Sequence, residues 1–162
     1  MIYGTTTSCV GLISAGTQLS ILNSVFRECG GGGQGLAAGS VPSQQTIDVD
    51  GLVIQNTSTG LSLGSNVSAT LRNLDVQGNI LGVFADASSA PCTVSLHNSK
   101  ISHNFIGVET GGGTPTIRLD NDIITVNNTG LQLGGGTIVS FGNNVISFNG
   151  LDGSPNGSAA LR

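Results

Sequence analysis

Charged residues are scarce in this chain of 162 residues. Asp, Glu, Lys and Arg together make up 9% of it, lysine occurs once, as Lys100, and the formal net charge is −4. Nucleic-acid-binding proteins need a basic stripe, and anionic membrane surfaces also attract basic segments. The sequence therefore predicts neither nucleic acid nor a membrane as a partner.

Aromatic residues and long hydrophobic runs are also lacking. Tryptophan is absent and Tyr3 is the only tyrosine. No stretch approaches the roughly 18 continuous apolar residues that a membrane-spanning helix needs. Low charge with abundant Ser, Thr, Asn and Gly is typical of secreted or cell-surface proteins. The three cysteines, an odd number, do not by themselves indicate an oxidising compartment.

A phrase with a period of about 22–25 residues recurs along the chain. It reads VSLHNSKISHNFIGVET at 94–110, IRLDNDIITVNNTGLQL at 117–133 and VSFGNNVISFN at 139–149, with earlier copies from 69, 47 and 19. Each copy predicts one coil of a stacked structure. The chain is therefore interpreted as one domain, 1–162, with a partial first coil at 1–18, six repeat coils at 19–149 and a C-terminal tail or cap at 150–162.

The residue types within each copy predict strands separated by tight bends. Each copy is numbered from a central residue at position zero, which is Asn23, Gly51, Asn73, Asn98, Asn121 or Asn143. Apolar residues two and four positions before zero alternate as in a strand with one buried face, ending with Val139 and Phe141 in the last copy. Asparagine or glycine at zero suits a left-handed bend. An aliphatic residue follows at +3, usually asparagine at +6, and glycine at +9, for which Gly32 and, one coil earlier, Gly11 are the candidates near the N-terminus.

The pattern N-x-x-I-x-x-N-x-x-G-V/L resembles the parallel β-helix repeat of the pectin-lyase-like superfamily. The resemblance implies an all-β, single-stranded, right-handed parallel β-helix with three strands per coil. That superfamily includes polysaccharide lyases, glycoside hydrolases and adhesins. The N-T-D, G-H-G and R-I-K motifs of its polygalacturonases and the R-x-P-x-x-R motif of its pectate lyases are absent from the sequence. No catalytic residue is therefore assigned.

The outward positions one and three before zero collect most of the charge into one predicted face. Its members are Asp48, Asp50, Arg72, His97, Arg118 and Asp120. Carboxylates, guanidiniums and an imidazole on one face could bind a polysaccharide, since arginine recognises carboxylates well. The alternative is a ladder of alternating charges, Asp50 beside Arg72 and His97 beside Asp120, that keeps an exposed sheet hydrated.

The cysteines leave two alternatives open. Cys9 and Cys29 fall on neighbouring coils, where Cα atoms about 5 Å apart suit a disulfide; the other possibility is two unpaired thiols. Cys92 has no evident partner. No His, Cys or Asp cluster has metal-ligand spacing, so the sequence predicts no metal and no cofactor.

The hypothesis favoured by these features is a non-catalytic structural or adhesive module of a bacterial secreted or surface protein. The sequence offers no amphipathic helix to cover the first coil, and bare strand edges recruit other chains. We therefore expect a longer solenoid, a homo-oligomer or an end-to-end contact at the open N-terminal coil. The alternative is a carbohydrate-binding module, or a polysaccharide lyase or glycoside hydrolase, acting through the charged face.

Overall fold

A computed structural model describes residues 1–3, 7–30 and 32–160. The predicted fold is confirmed in its main feature, because the chain forms an all-β parallel solenoid of about six turns. The described ranges contain no helix, and so none long and apolar enough to cross a membrane.

Short strands make up most of the chain. They are β1 (Ile2–Tyr3), β2 (Ser8–Leu12), β3 (Gln18–Arg27), β4 (Gln34–Ala38), β5 (Gln45–Gln55), β6 (Thr59–Leu63), β7 (Val67–Arg72), β8 (Asp75–Gln77), β9 (Leu81–Ala87), β10 (Cys92–His97), β11 (Lys100–Ser102), β12 (Ile106–Gly113), β13 (Thr116–Asp120), β14 (Ile123–Thr125), β15 (Thr129–Leu133), β16 (Thr137–Ser140), β17 (Val145–Ser147) and β18 (Gly157–Ser158).

All strand pairs are parallel and form two sheets. The larger sheet has 12 strands and two limbs that meet at the long strand β5. One limb runs through β7, β10, β13, β16 and β18, and the other through β8, β11, β14 and β17; β3 pairs with β5 and with β1. The smaller sheet has the order β15-β12-β9-β6-β4-β2. Each strand thus pairs with strands about one repeat away, which places equivalent repeat positions side by side.

The core lies inside the solenoid, and most of its members are those that the repeat predicts. The strand before each bend contributes alternate residues such as Val49, Leu71 and Leu119, and the strand after it contributes Ile54 and Ile124, all with no solvent exposure. These residues belong to one continuous hydrophobic cluster. Burial of an aliphatic side chain contributes on the order of 1.5–3 kcal/mol, so stacking of coils supplies the main stabilising term.

The zero position lies in the left-handed region in most coils. Asn23, Gly51, Asn73, Asn98 and Asn121 have φ angles between 43° and 72°. The short polar side chain of asparagine tolerates this conformation, which other side chains resist. The bend that joins the two limbs of the large sheet is therefore encoded locally.

The last coil departs from the predicted register. Ile138 is fully buried, and Val139 is level with Arg118, so Val139 lies on the outward face instead of facing inward. The bend after β16 contains one residue more than the preceding bends, and Gly142 takes its positive φ of 85°. The interpretation of Val139 and Phe141 as core residues is therefore wrong.

A glycine column allows the smaller sheet to pack closely against the inner face of the neighbouring bend. A Cβ at Gly107 would lie 2.8 Å from the carbonyl oxygen of Gly130. Near the N-terminus this column passes through Gly35, not Gly32, because β4 and β6 pair in the register that makes Gly35 level with Gly60. Gly11 does not extend the column either; it pairs with Ala37.

A buried ladder of hydrogen bonds links the coils at the +6 position. The backbone N–H and side-chain amide of Asn79 donate to Oδ1 of Asn104, and Asn104 donates in the same way to Asn127. Asn127 donates to Asn149, and the ladder ends where Asn149 donates to Oδ1 of Asp152. Each pair of hydrogen bonds between successive asparagines fixes the level of one coil relative to the next.

The two ends of the described solenoid are held differently. Cys9 and Cys29 form a disulfide with a Cα–Cα distance of 5.2 Å. At the other end, residues 150–158 continue along the last coil, where Leu131 donates to the carbonyl of Asp152 and β18 pairs with β16.

We expect Thr110→Val to raise the free energy of unfolding by about 1 kcal/mol, since an unpaired buried hydroxyl carries a desolvation cost. Thr110 is fully buried on β12 and its Oγ1 has no partner among the described residues. Valine keeps the shape of the side chain and removes that hydroxyl. Urea unfolding measures the change.

The matched control is Thr57→Val. The Thr57 hydroxyl donates to Oδ1 of Asn79 at 2.8 Å. The same substitution should therefore lower the free energy of unfolding, by about 1–2 kcal/mol. Equal effects at the two threonines would contradict the difference in their hydrogen bonding.

Candidate binding groove

The predicted charged face exists and runs along one limb of the larger sheet. Asp50 on β5, Arg72 on β7, His97 on β10 and Asp120 on β13 are level with one another in consecutive coils. Two residues earlier on the same strands, Asp48 is level with Thr70, Thr70 with Ser95 and Ser95 with Arg118. The parallel register thus brings all six predicted residues to one surface.

The ion pair at the N-terminal side of this face is diagonal. Nη1 of Arg72 lies 2.6 Å from Oδ1 of Asp48, although Asp50 is the residue level with it. Asp50 instead accepts a hydrogen bond from Nδ2 of Asn73 at 2.6 Å. Exposed pairs of this kind contribute little stability, typically about 0–1 kcal/mol, so the pairing mainly orients the side chains.

A second pair lies two coils further along. Nδ1 of His97 contacts Oδ2 of Asp120 at 2.8 Å, and Nδ2 of Asn143 donates to Oδ1 of Asp120 at 2.8 Å. The hydrogen bond from Asn143, assisted by His97, lowers the pKa of Asp120 below its ordinary value. Asp120 is therefore held as a carboxylate acceptor.

A shallow groove of about 330 Å³ lies between these pairs. Its lining residues are Thr70, Arg72, Ser95, Leu96, His97, Arg118, Asp120 and Phe141. Four of the six predicted residues thus line the groove, whereas Asp48 and Asp50 lie outside its lining.

Arg118 and Phe141 line the groove beside these paired residues. The guanidinium group of Arg118 has no hydrogen-bond or ion-pair partner within the described ranges. Phe141 was predicted to face the core, but the additional residue in the last bend places it on the groove side. The sequence carried only a weak signal, since Ile138 is an alternative inward residue but its partner in that register is the polar Ser140.

Asp122 lies buried in the bend between β13 and β14, next to Asp120. It was not predicted as a site residue. It is 1% exposed, and its two carboxylate oxygens accept hydrogen bonds from the backbone N–H groups of Ser99 and Asp120, at 2.8 and 3.0 Å. Burial raises the pKa of Asp122 to about 6. Asp122 therefore positions the backbone of Asp120 from below and does not itself reach the groove.

The groups that the face presents to solvent are few. The carboxylates of Asp48, Asp50 and Asp120 already accept hydrogen bonds from neighbouring coils. The groups that remain available for contact are the guanidinium of Arg118, hydroxyl groups and one aromatic ring. In the part of the chain that the structure describes, no group of three or more His, Cys, Asp or Glu residues could hold a metal ion.

Comparison of the chain with protein-family models, curated proteins and solved structures finds no match in any of the three.

We expect the Asp122 carboxyl to make stability fall as pH rises. Its pKa is about 6 in the folded protein and near 3.8 when unfolded, so between these values the folded state binds more protons. The effect is on the order of 2–3 kcal/mol across that window. Asp122→Asn should remove this slope in urea unfolding measured from pH 4 to pH 7.

The control for this slope is Asp86→Asn. Hydrogen bonds from the side chain and backbone of Ser88 lower the pKa of Asp86. Its stabilising contribution is therefore present above the ordinary aspartate pKa and is lost at lower pH, the opposite sign. Identical pH slopes for wild type and Asp122→Asn would show that burial does not perturb Asp122.

Proposed function

We propose that the chain is a non-catalytic structural module of a secreted or cell-surface protein. In this proposal it is a right-handed parallel β-helix with three strands in each coil, of the kind found in the pectin-lyase-like superfamily. Its coils stack on further coils or on other copies. The repeat N-x-x-I-x-x-N-x-x-G and the two-limbed sheet joined by left-handed bends support this architecture.

The observation that carries the proposal is that the carboxylates of the charged face are already paired with basic or asparagine side chains of neighbouring coils. Asp48 is paired with Arg72, Asp50 with Asn73, and Asp120 with both His97 and Asn143. A glycosidase needs two carboxyl groups free to act on a sugar between them. Groups engaged from coil to coil fit a surface whose role is to remain hydrated and ordered.

Two further features support placement outside the cell and assembly through the ends. The Cys9–Cys29 disulfide is a bond that persists in oxidising compartments. The terminal strand β2 of the smaller sheet has one neighbouring strand, β4, within the described ranges, whereas residues 151–152 already accept hydrogen bonds from the outer edge of β15. An open edge such as that of β2 can pair with another chain.

Incubation with a panel of acidic and neutral polysaccharides tests the absence of catalysis. We expect no new reducing ends and no ultraviolet absorbance from unsaturated products, for the wild type and for His97→Ala and Asp120→Asn alike. Turnover by the wild type that either substitution abolishes would overturn the proposal and favour a lyase or hydrolase.

A second candidate function, carbohydrate binding, is favoured by the groove itself. The unpaired guanidinium of Arg118 and the ring of Phe141 lie in the same lining with the hydroxyls of Thr70 and Ser95. Guanidinium groups bind carboxylates in a planar, bidentate geometry, and aromatic rings supply apolar contact area. An acidic sugar is the ligand that this combination suits.

Affinity electrophoresis through gels containing an acidic polysaccharide tests this candidate. We expect retardation of the wild type that is reduced at least about tenfold in apparent affinity by Arg118→Gln, the loss of one charge-assisted contact. Arg27→Gln removes the same charge from an exposed position on β3 outside the groove and should have no effect. Equal losses in the two variants would indicate a non-specific charge effect.

A further inference from the structure

The first coil, which carries β1 and β2, buries little apolar surface. Among the residues before β3 whose burial the structure describes, Leu12 is the one buried hydrophobic residue, and Ile2, Cys9 and Val10 are partly buried. The coil of β5 and β6 buries a full set of aliphatic side chains, which are Ile47, Val49, Leu52, Ile54, Leu61 and Leu63. Because aliphatic burial is the main stabilising term, the first coil gains much less from packing than the coils that follow it.

The hydrogen bonds that hold the first coil to the rest of the solenoid lie at the edge of the sheets. Within the described ranges, β1 pairs with β3 over 2 residues and β2 pairs with β4 alone. Nε2 of Gln45 donates to the carbonyls of Leu12 and Ser14 at 3.4 and 2.9 Å, but Ile13 between them is 90% exposed. Segments with few buried contacts and edge hydrogen bonds are the ones that open locally while the remaining fold stays intact.

The Cys9–Cys29 disulfide adds a covalent link to these contacts. Cys9 lies on β2, and Cys29 follows β3 at a sequence separation of 20 residues. A disulfide that closes a loop of this length stabilises a fold about as much as the burial of one or two aliphatic side chains. For a coil with one buried aliphatic residue, the disulfide therefore contributes as much as the packing does.

The two cysteines of this bond differ in their access to solvent. Cys29 has no solvent exposure, whereas Cys9 is partly exposed. Thiol–disulfide exchange begins when an external thiolate attacks one sulfur and displaces the other. Attack at the accessible residue forms a mixed disulfide on Cys9, and Cys29 leaves as a thiolate that takes up a proton. A second thiolate then attacks the mixed disulfide and releases Cys9 as a thiol.

We propose that the Cys9–Cys29 disulfide is a redox-sensitive latch, which a small thiol reductant opens at Cys9, so that β1 and β2 detach while the coils from β4 onward stay folded. Two reductant thiols become one disulfide, and the chain gains two thiols. Detachment exposes the edge of β4 together with the fully buried Leu36, and such an edge can pair with another chain. The latch goes beyond the structural role proposed above and does not depend on it.

Thiol labelling of the folded chain tests the site of attack, with Cys92 as an internal control. Cys92 lies on β10 and is 1% exposed, and burial raises the pKa of its thiol to about 12, so it is unreactive while its coil is folded. After brief incubation with glutathione and quenching with excess iodoacetamide, mass spectrometry should find glutathione on Cys9, alkylated Cys29 and unmodified Cys92. Glutathione on Cys29, or labelling of Cys92 together with the other two, would overturn the latch.

Hydrogen exchange shows which coils open. Reduction of the wild type with a soluble phosphine should speed exchange of the β2 amides by about a hundredfold and leave the amides of β6 and β9 within about twofold. The matched variant Cys9→Ala/Cys29→Ala should show the fast β2 exchange without reductant and should not respond to the phosphine. Unchanged β2 exchange in the reduced wild type, faster exchange in all coils, or a phosphine response that persists in the variant would each contradict the latch.

Discussion

The buried asparagine ladder is the interaction on which the rest of the structure depends. The side-chain amides of Asn79, Asn104 and Asn127 accept and donate hydrogen bonds that the neighbouring coils supply. A slip of one residue would bury unpaired amides, each at a cost of about 1–3 kcal/mol. The same slip would also turn the buried aliphatic side chains of that strand outward, because side chains alternate between the two faces. Hydrophobic burial therefore drives the coils together, and burial and the ladder both fix how they align.

That alignment determines what the surface can present. With each coil held level with the next, an outward residue meets the same repeat position above and below, so Asp50, Arg72, His97 and Asp120 fall into one row. The charged side chains in this row are paired with side chains of neighbouring coils. Two groups on this limb lack such partners among the described residues: the guanidinium of Arg118 and the ring of Phe141, which line the same groove.

Asp122 shows how tertiary packing decides which of two neighbouring acids is buried. Asp122 lies where Ser99 lies one coil earlier and Asn144 one coil later, and all three accept a backbone N–H from the preceding coil. The sequence alone presents Asp122 as one of two nearby acids beside Asn121. Only the bend geometry shows that Asp120 points outward while Asp122 is buried, which separates their pKa values in opposite directions.

The sequence by itself determined the parallel solenoid and, in the coils before the last, most of the inward strand positions and the bends at position zero, because these follow from a period that repeats along the chain. It also placed the six charged residues on one face. The tertiary structure decided what periodicity leaves open: the additional residue that turns Phe141 into the groove, the column through Gly35, and the choice of Asp48 over Asp50 by Arg72. Each of these depends on distances between coils, and a single copy of the repeat does not contain that information.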